Sequence, residues 1–262
     1  MKSNYKNQIT KILTLFIIAI LFVACKKDKS TTTTTPTPTG TLMFHCHTAI
    51  DTSEVAAYDS IYVNAVGRKI SLHRAQIYLS HIKVVKLDGS EIEIADSKIL
   101  KTFDTEDYII GAVPVGNYKT IKFNIGFDAT ANKLLPTTNS ILNHPEMWFG
   151  SSFSANDGYA FANISGKIDT TTLKNGSINQ MQSFEYKIGS NDNYTSITMP
   201  EQQFSVIANL PQYIHIMIDY SKIFDGVEVN HSAYLKVTTK AANSTTIGKK
   251  IAANLSKMFS YE

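Results

Sequence analysis

The feature that most restricts the fold is a period of two. In KTIKFNIGFD, Lys119 to Asp128, the apolar residues Ile121, Phe123, Ile125 and Phe127 share one side, with Lys122 and Asn124 on the other. Only an extended chain, whose side chains alternate across the pleat, sorts them this way. The same alternation recurs in Ile70–Leu72, Ile77–Val85, Gly158–Ile168, Phe184–Ile188, Phe204–Ile207 and Gln212–Asp219, with Gly, Asn, Asp and Pro between them. LDGS, Leu87 to Ser90, carries the Asp-Gly step of a hairpin, and VPVGNY, Val113 to Tyr118, is a Pro/Gly turn. One segment breaks the pattern: from Thr246 to Phe259, Ile247, Ile251, Leu255, Met258 and Phe259 stand three and four apart, as in an amphipathic helix. The expectation is an all-β protein, an antiparallel β-sandwich with a C-terminal amphipathic helix packed on it.

Before the first strand the chain follows other rules. Lys2, Lys6 and Lys11 precede an apolar run from Ile12 to Ala24, shorter than the ~20 residues that cross a bilayer. Residues 1–24 read as a signal peptide, and Val23, Ala24 and Cys25 resemble a bacterial lipobox. That resemblance implies lipidation at Cys25 and attachment through acyl chains. Lys26 is unlike an inner-membrane retention signal, so the expected place is the outer membrane, facing the periplasm or the surface. The run STTTTTPTPTG, Ser30 to Gly40, has no side chain for a core, so residues 25–40 read as a tether and 41–262 as one domain.

Removing the three leader lysines from 25 basic residues leaves 22, matched by 22 acidic ones. That balance, without a basic run, offers no electrostatic footprint for nucleic acid. With Cys25 taken by lipid, Cys46 has no partner for an intrachain disulfide.

The residues able to do chemistry cluster in LMFHCHTAI, residues 42 to 50. Alternation sends Leu42, Phe44 and Cys46 to one face and Met43, His45 and His47 to the other. YIHIMID repeats the arrangement: Ile214, Ile216 and Ile218 form a core face, opposite Tyr213, His215, Met217 and Asp219. Were these strands neighbours, thioethers and imidazoles would meet in a cluster suited first to Cu(I), then to Cu(II) or Zn. The plainer reading is a set of solvent-facing residues on ordinary strands. Cys46, turned to the opposite face, reads as a buried thiol and not a blue-copper ligand. In HPEMW, His144 and Met147 flank Trp148, either as accessory ligands beside a modified tryptophan or as an aromatic anchor under a loop. His73, His81 and His231 lack clustered partners.

Enzymatic signatures are missing. GxSxG, HExxH, GxGxxG, the P-loop and CxxC do not occur. Glu91 and Glu93 share a hairpin face as solvated charge, and the acids Asp157 and Asp192 do not match the spacing of a calcium loop. No catalytic residues are expected.

Five stretches in order, AQIYLSHIKVVKLDGS, VPVGNYKTIKFNIGFDA, NDGYAFANISG, IHIMIDYSKIF and IGKKIAANLSKMF, resemble the MbnP-like copper-binding domain, the methanobactin-associated periplasmic protein family. The resemblance implies an exported all-β copper protein in which histidines and a tryptophan oxidised to kynurenine hold the ion, with a di-haem peroxidase as the oxidising partner. This chain departs from the pattern in two places. Trp148 directly follows Met147 with no second tryptophan, and His81 stands where relatives commonly carry Asn.

Two functions compete. One is a lipid-anchored envelope protein that sequesters or delivers copper through His45, His47 and His215, with Met43 or Met217 as a soft donor. The other is a metal-free surface module that binds a glycan or protein through aromatic loops such as MWFGSSF and SNDNYTS.

Overall fold

The computed structural model describes residues 37–262. Residues 1–36, on which the expected signal peptide, Cys25 and most of the expected tether fall, lie outside the described residues. Within them the strands are β1 (Thr39–Ile50), β2 (Ser53–Glu54), β3 (Tyr62–Val63), β4 (Lys69–Lys86), β5 (Glu91–Glu93), β6 (Lys98–Lys101), β7 (Asp107–Pro114) and β8 (Gly116–Ile125). They continue as β9 (Ala160–Asp169), β10 (Met181–Gly189), β11 (Thr195–Thr198), β12 (Phe204–Val206), β13 (Pro211–Asp219), β14 (Lys236–Val237) and β15 (Phe259–Tyr261).

Two sheets enclose one core. The smaller runs β15-β13-β1-β2, with β7 also paired to β1; the larger runs β11-β8-β4-β9-β10-β14, with short strands added on β4 and β8. Alternation drives the closure. Ile121, Phe123 and Ile125 of β8 are buried, as are Leu42, Phe44 and Cys46 of β1, so each sheet offers an apolar face. The faces meet through aromatic edges: Phe44 lies 6.3 Å from Phe123, and Phe123 lies 5.1 Å from Phe259.

The alternation was legible, the pairing less so. Most ladders are antiparallel, but β1 with β13 and β10 with β14 run parallel. A parallel pair needs a long crossover, here the whole chain between Ile50 and Pro211, and no local signal marks it. The domain also begins earlier than expected. Thr39 and Gly40, read as tether, open β1, and Gly40 is buried where a Cβ would collide with the carbonyl oxygens of Ile207 and Leu210. The two segments Ile70–Leu72 and Ile77–Val85 are one 18-residue strand, β4. β7, in DYIIGAVP, was not anticipated.

The C-terminal helix is shorter than its periodicity suggests, ending at Leu255. Thr245 caps its start, accepting from the Gly248 amide. Met258 and Phe259 keep helical spacing from Leu255 but serve the sheet instead: the Asp219 amide donates to the Met258 carbonyl at 2.8 Å, and Phe259 pairs with Ile218. An unpaired edge of β13 offers backbone hydrogen bonds that another helical turn would forgo.

The β4–β9 ladder shifts register between Leu72 and Arg74, opposite Gly166. There the backbones approach so closely that a Cβ on Gly166 would overlap the Ser71 carbonyl oxygen. Gly166→Ala should therefore lower the unfolding free energy by roughly 1–3 kcal/mol or more. Gly150→Ala, whose Cβ would meet nothing closer than 3.5 Å, should change it little. Urea midpoints of the two variants test this.

Candidate metal centre

The outer face of the smaller sheet carries the polar half of the alternation. β1 and β13 run parallel and in register, so His45 faces His215, His47 faces Met217, and Met43 faces Tyr213. One ligand atom from each of His45, His47 and His215 lies within 4.8 Å of the others. The ring centroids of His45 and His47 are 4.5 Å apart, and those of His45 and His215 5.0 Å.

Carboxylates frame these rings, and the sequence reading missed all of them. Asp107 pairs with His45 across the β1–β7 ladder, and its Oδ1 lies 2.6 Å from His45 Nδ1. A bulge between Leu42 and Met43 skips Ile110, so the outward side chains of β7 are Ile109 and Asp107. Glu54, on β2 beyond the tight turn at Asp51, places Oε1 3.1 Å from His47 Nδ1. Glu262 follows β15 and places Oε2 3.2 Å from His215 Nδ1 and 3.7 Å from His47 Nε2. Glu106 Oε2 lies 3.8 Å from His45 Nε2, and His47, Glu54 and Glu106 form a second close group. Across the sheet the order is thus Glu262, His215, His45, Asp107, two imidazoles bracketed by two acids. Three-dimensional pairing alone creates this row; the only linear hint is the acidic run DTED before β7.

A carboxylate on Nδ1 fixes a neutral histidine as the tautomer whose Nε2 lone pair is free. His45, against Asp107, and His47, against Glu54, have that arrangement; at His215 the Glu262 carboxylate stands 3.2 Å from Nδ1 without a hydrogen bond. His45 and His47 are half-buried, while His215 is open, with 52% of its side chain exposed. An ion here would rest on a wall of two rings and remain accessible from solvent.

Of the other expected residues, the methionines stay beside this group and Trp148 and His144 do not. Met43 and Met217 lie half-buried on the same face, Met217 in register with His47 and Met43 one row from His45. Trp148 lies against the larger sheet: it bridges to Tyr159, donates Nε1 to the Leu142 carbonyl at 3.2 Å, and its own carbonyl accepts from Lys187. His144 lies 3.6 Å from Glu146. The structure therefore brings His45, His47 and His215 together and leaves Trp148 and His144 elsewhere, as aromatic anchor and loop residue.

Beneath the row, Cys46 is buried in the core, and burial pushes its thiol up to about 12, away from the thiolate a metal binds. Its neighbour Lys101 is 0% exposed. The ammonium donates to Thr48 Oγ1 at 3.0 Å and to the Thr102 carbonyl, tying the loop that carries Glu106 and Asp107 to β1. Burial lowers its pKa from 10.5 to about 8.

The MbnP family profile matches residues 39–259, nearly the whole described chain. This chain belongs to the MbnP family. Among solved structures it is similar to "MbnP from Methylosinus trichosporium", at 15% identity and a TM-score of 0.47, covering 71% of this chain and 78% of that one. No curated protein matches.

The depressed Lys101 sets a pH signature. Between about 8 and 10.5 the unfolded lysine binds more protons than the folded one, so stability rises with pH in that window and is lost as pH falls through about 8. The full span corresponds to roughly 3 kcal/mol. Relative to Lys101→Met, the wild type should gain about that much between pH 7.5 and 10.5, as measured by urea unfolding at several pH values.

Proposed function

We propose that this chain is a lipid-anchored envelope protein that binds copper at His45, His47 and His215 and sequesters or delivers it without turnover. The observation that carries this reading is the in-register parallel pairing of β1 with β13, which joins two histidine rows more than 160 residues apart in sequence. The donor set fits the ion. His45 and His47, whose Nδ1 atoms are hydrogen-bonded to Asp107 and Glu54, keep Nε2 for a metal, His215 adds a third imidazole within reach, and imidazole is a good ligand for copper and zinc. Membership of the MbnP family supports copper over zinc. The half-open position of His215 suits reversible loading more than permanent structural binding. Met43 and Met217 stand close enough in register to serve as auxiliary thioether donors during transfer.

The anchor rests on the lipobox-like Val23, Ala24 and Cys25, and Lys26, unlike an inner-membrane retention signal, supports an outer-membrane location. A di-haem peroxidase partner draws support from the family resemblance alone, because Trp148 stands with the other sheet.

Two measurements test the proposal. His45→Ala and His215→Ala should each weaken copper binding by at least ~10–100-fold in competition titration with a chromophoric chelator, and Asp107→Asn by a similar factor through loss of ring orientation. Unchanged affinity in the histidine variants would refute the site. Cys25→Ser should move the protein from the membrane fraction to the soluble envelope fraction, and retention in the membrane would refute lipid anchoring.

A further inference from the structure

We infer that the end of the sandwich where the chain enters the domain is a membrane-contact surface, seated on a phospholipid bilayer through the turn residues Val115, Ile207 and Leu210. This rests on the lipid anchor proposed above and adds an orientation to it: the domain lies against the bilayer and does not swing free of it.

Three segments meet where β1 opens. On one side is the turn between β7 and β8, whose Val115 amide donates to the Pro38 carbonyl at 2.9 Å. On the other is the turn between β12 and β13, where the Asn209 amide donates to the Thr39 carbonyl at 2.9 Å and the Leu210 carbonyl accepts from the Thr41 amide at 3.0 Å. These bonds pin both turns to the entering strand and leave their apolar side chains outside. Val115, Ile207 and Leu210 are 45%, 57% and 52% exposed. The outer face of the smaller sheet extends the same surface: Ala112, Thr41 and Pro211 form one row across β7, β1 and β13, and Ile109, Met43 and Tyr213 form the next. In that second row Ile109 is 72% exposed. An uncovered apolar surface that continues over two turns and two strand rows marks a place of contact.

Charge identifies what it contacts. No Asp, Glu, Lys or Arg occurs in Ser30–Ile50, Tyr108–Tyr118 or Gln202–Ile218, the stretches that build this end. Protein interfaces surround an apolar centre with a polar rim, whereas apolar tips without charge enter the headgroup and acyl boundary at no cost of desolvated ions. The opposite end of the larger sheet, where β4 starts, differs: the exposed Val66 and Leu173 there stand close in sequence to Arg68 and Lys174, which oppose burial in hydrocarbon. The tether adds proximity. Residues 26–38 cannot hold Thr39 further than about 50 Å from the lipid on Cys25, so the bilayer is always near the patch and weak apolar contacts suffice. His45 lies four residues along β1 from Thr41, about 13 Å, which keeps the histidine cluster close to the bilayer but outside it.

The test uses the full lipidated chain reconstituted in vesicles of phosphatidylethanolamine and phosphatidylglycerol. Cys46 is buried and Cys25 carries the lipid, so Ile207→Cys provides one reactive thiol for an environment-sensitive dye. Leu173→Cys, at the opposite end, is the control. The dye at 207 should be quenched by doxyl-labelled lipid and shielded from aqueous iodide, and the dye at 173 should show the reverse. Adding Leu210→Glu to Ile207→Cys should lower the ratio of docked to free domain by about 10-fold or more, with vesicle co-flotation and the thermal midpoint unchanged. Equal iodide access at both positions in a chain that still co-floats overturns the surface and leaves the anchor standing. A chain that does not co-float overturns the anchor and this surface with it. Shielding from iodide without quenching by lipid overturns the bilayer as occupant and assigns the patch to a second copy of the chain; shielding found only in native envelope membranes overturns it in favour of a protein partner.

Discussion

The ladder between β1 and β13 is the constraint on which the rest of the molecule depends. It joins the first strand of the domain to one of the last, in parallel and in register, and so decides which residues of two distant segments face each other. A slip of one residue would turn His45 and His47 into the core and send Leu42, Phe44 and Cys46 to solvent, at a cost of several buried apolar side chains. The hydrophobic face of β1, packed on Phe123 and its neighbours, therefore holds the imidazoles in place from behind.

This coupling explains why the chemistry could be read in part from the sequence. Strand pleating is local, so the split between Leu42, Phe44, Cys46 and Met43, His45, His47 needed no knowledge of the fold, and the same holds for the row ending at Asp219. What is not local was not legible. Asp107, Glu54 and Glu262 reach the rings only through β7, β2 and β15, and each arrives by a feature with no strong linear signature: a bulge, a two-residue strand and a segment whose spacing looked helical. Met258 and Phe259 show the conflict most clearly. Their intervals from Leu255 satisfy a helix, yet the open edge of β13 offered hydrogen bonds that decided the outcome.

The histidine cluster and the core share one strand but are chemically insulated. On the inward side, Cys46 is held as a neutral thiol, and Lys101 spends its donors on Thr48 and loop carbonyls. On the outward side, each ring has a carboxylate at Nδ1. The sulfur beside two histidines in the sequence is thus separated from them by the thickness of a single strand, which would keep an ion held by the imidazoles away from an oxidisable thiol.

The position of β1 also has a mechanical side. It is flanked by β13 on one edge and by β7 and β2 on the other, and it opens at Thr39, where the chain enters the domain. Tension applied at Thr39 runs along the strand axis and loads both ladders in shear, so their hydrogen bonds must break together and not one after another as in unzipping. A fold tugged from that end resists at the strand that bears its histidines, which must give way before anything behind it.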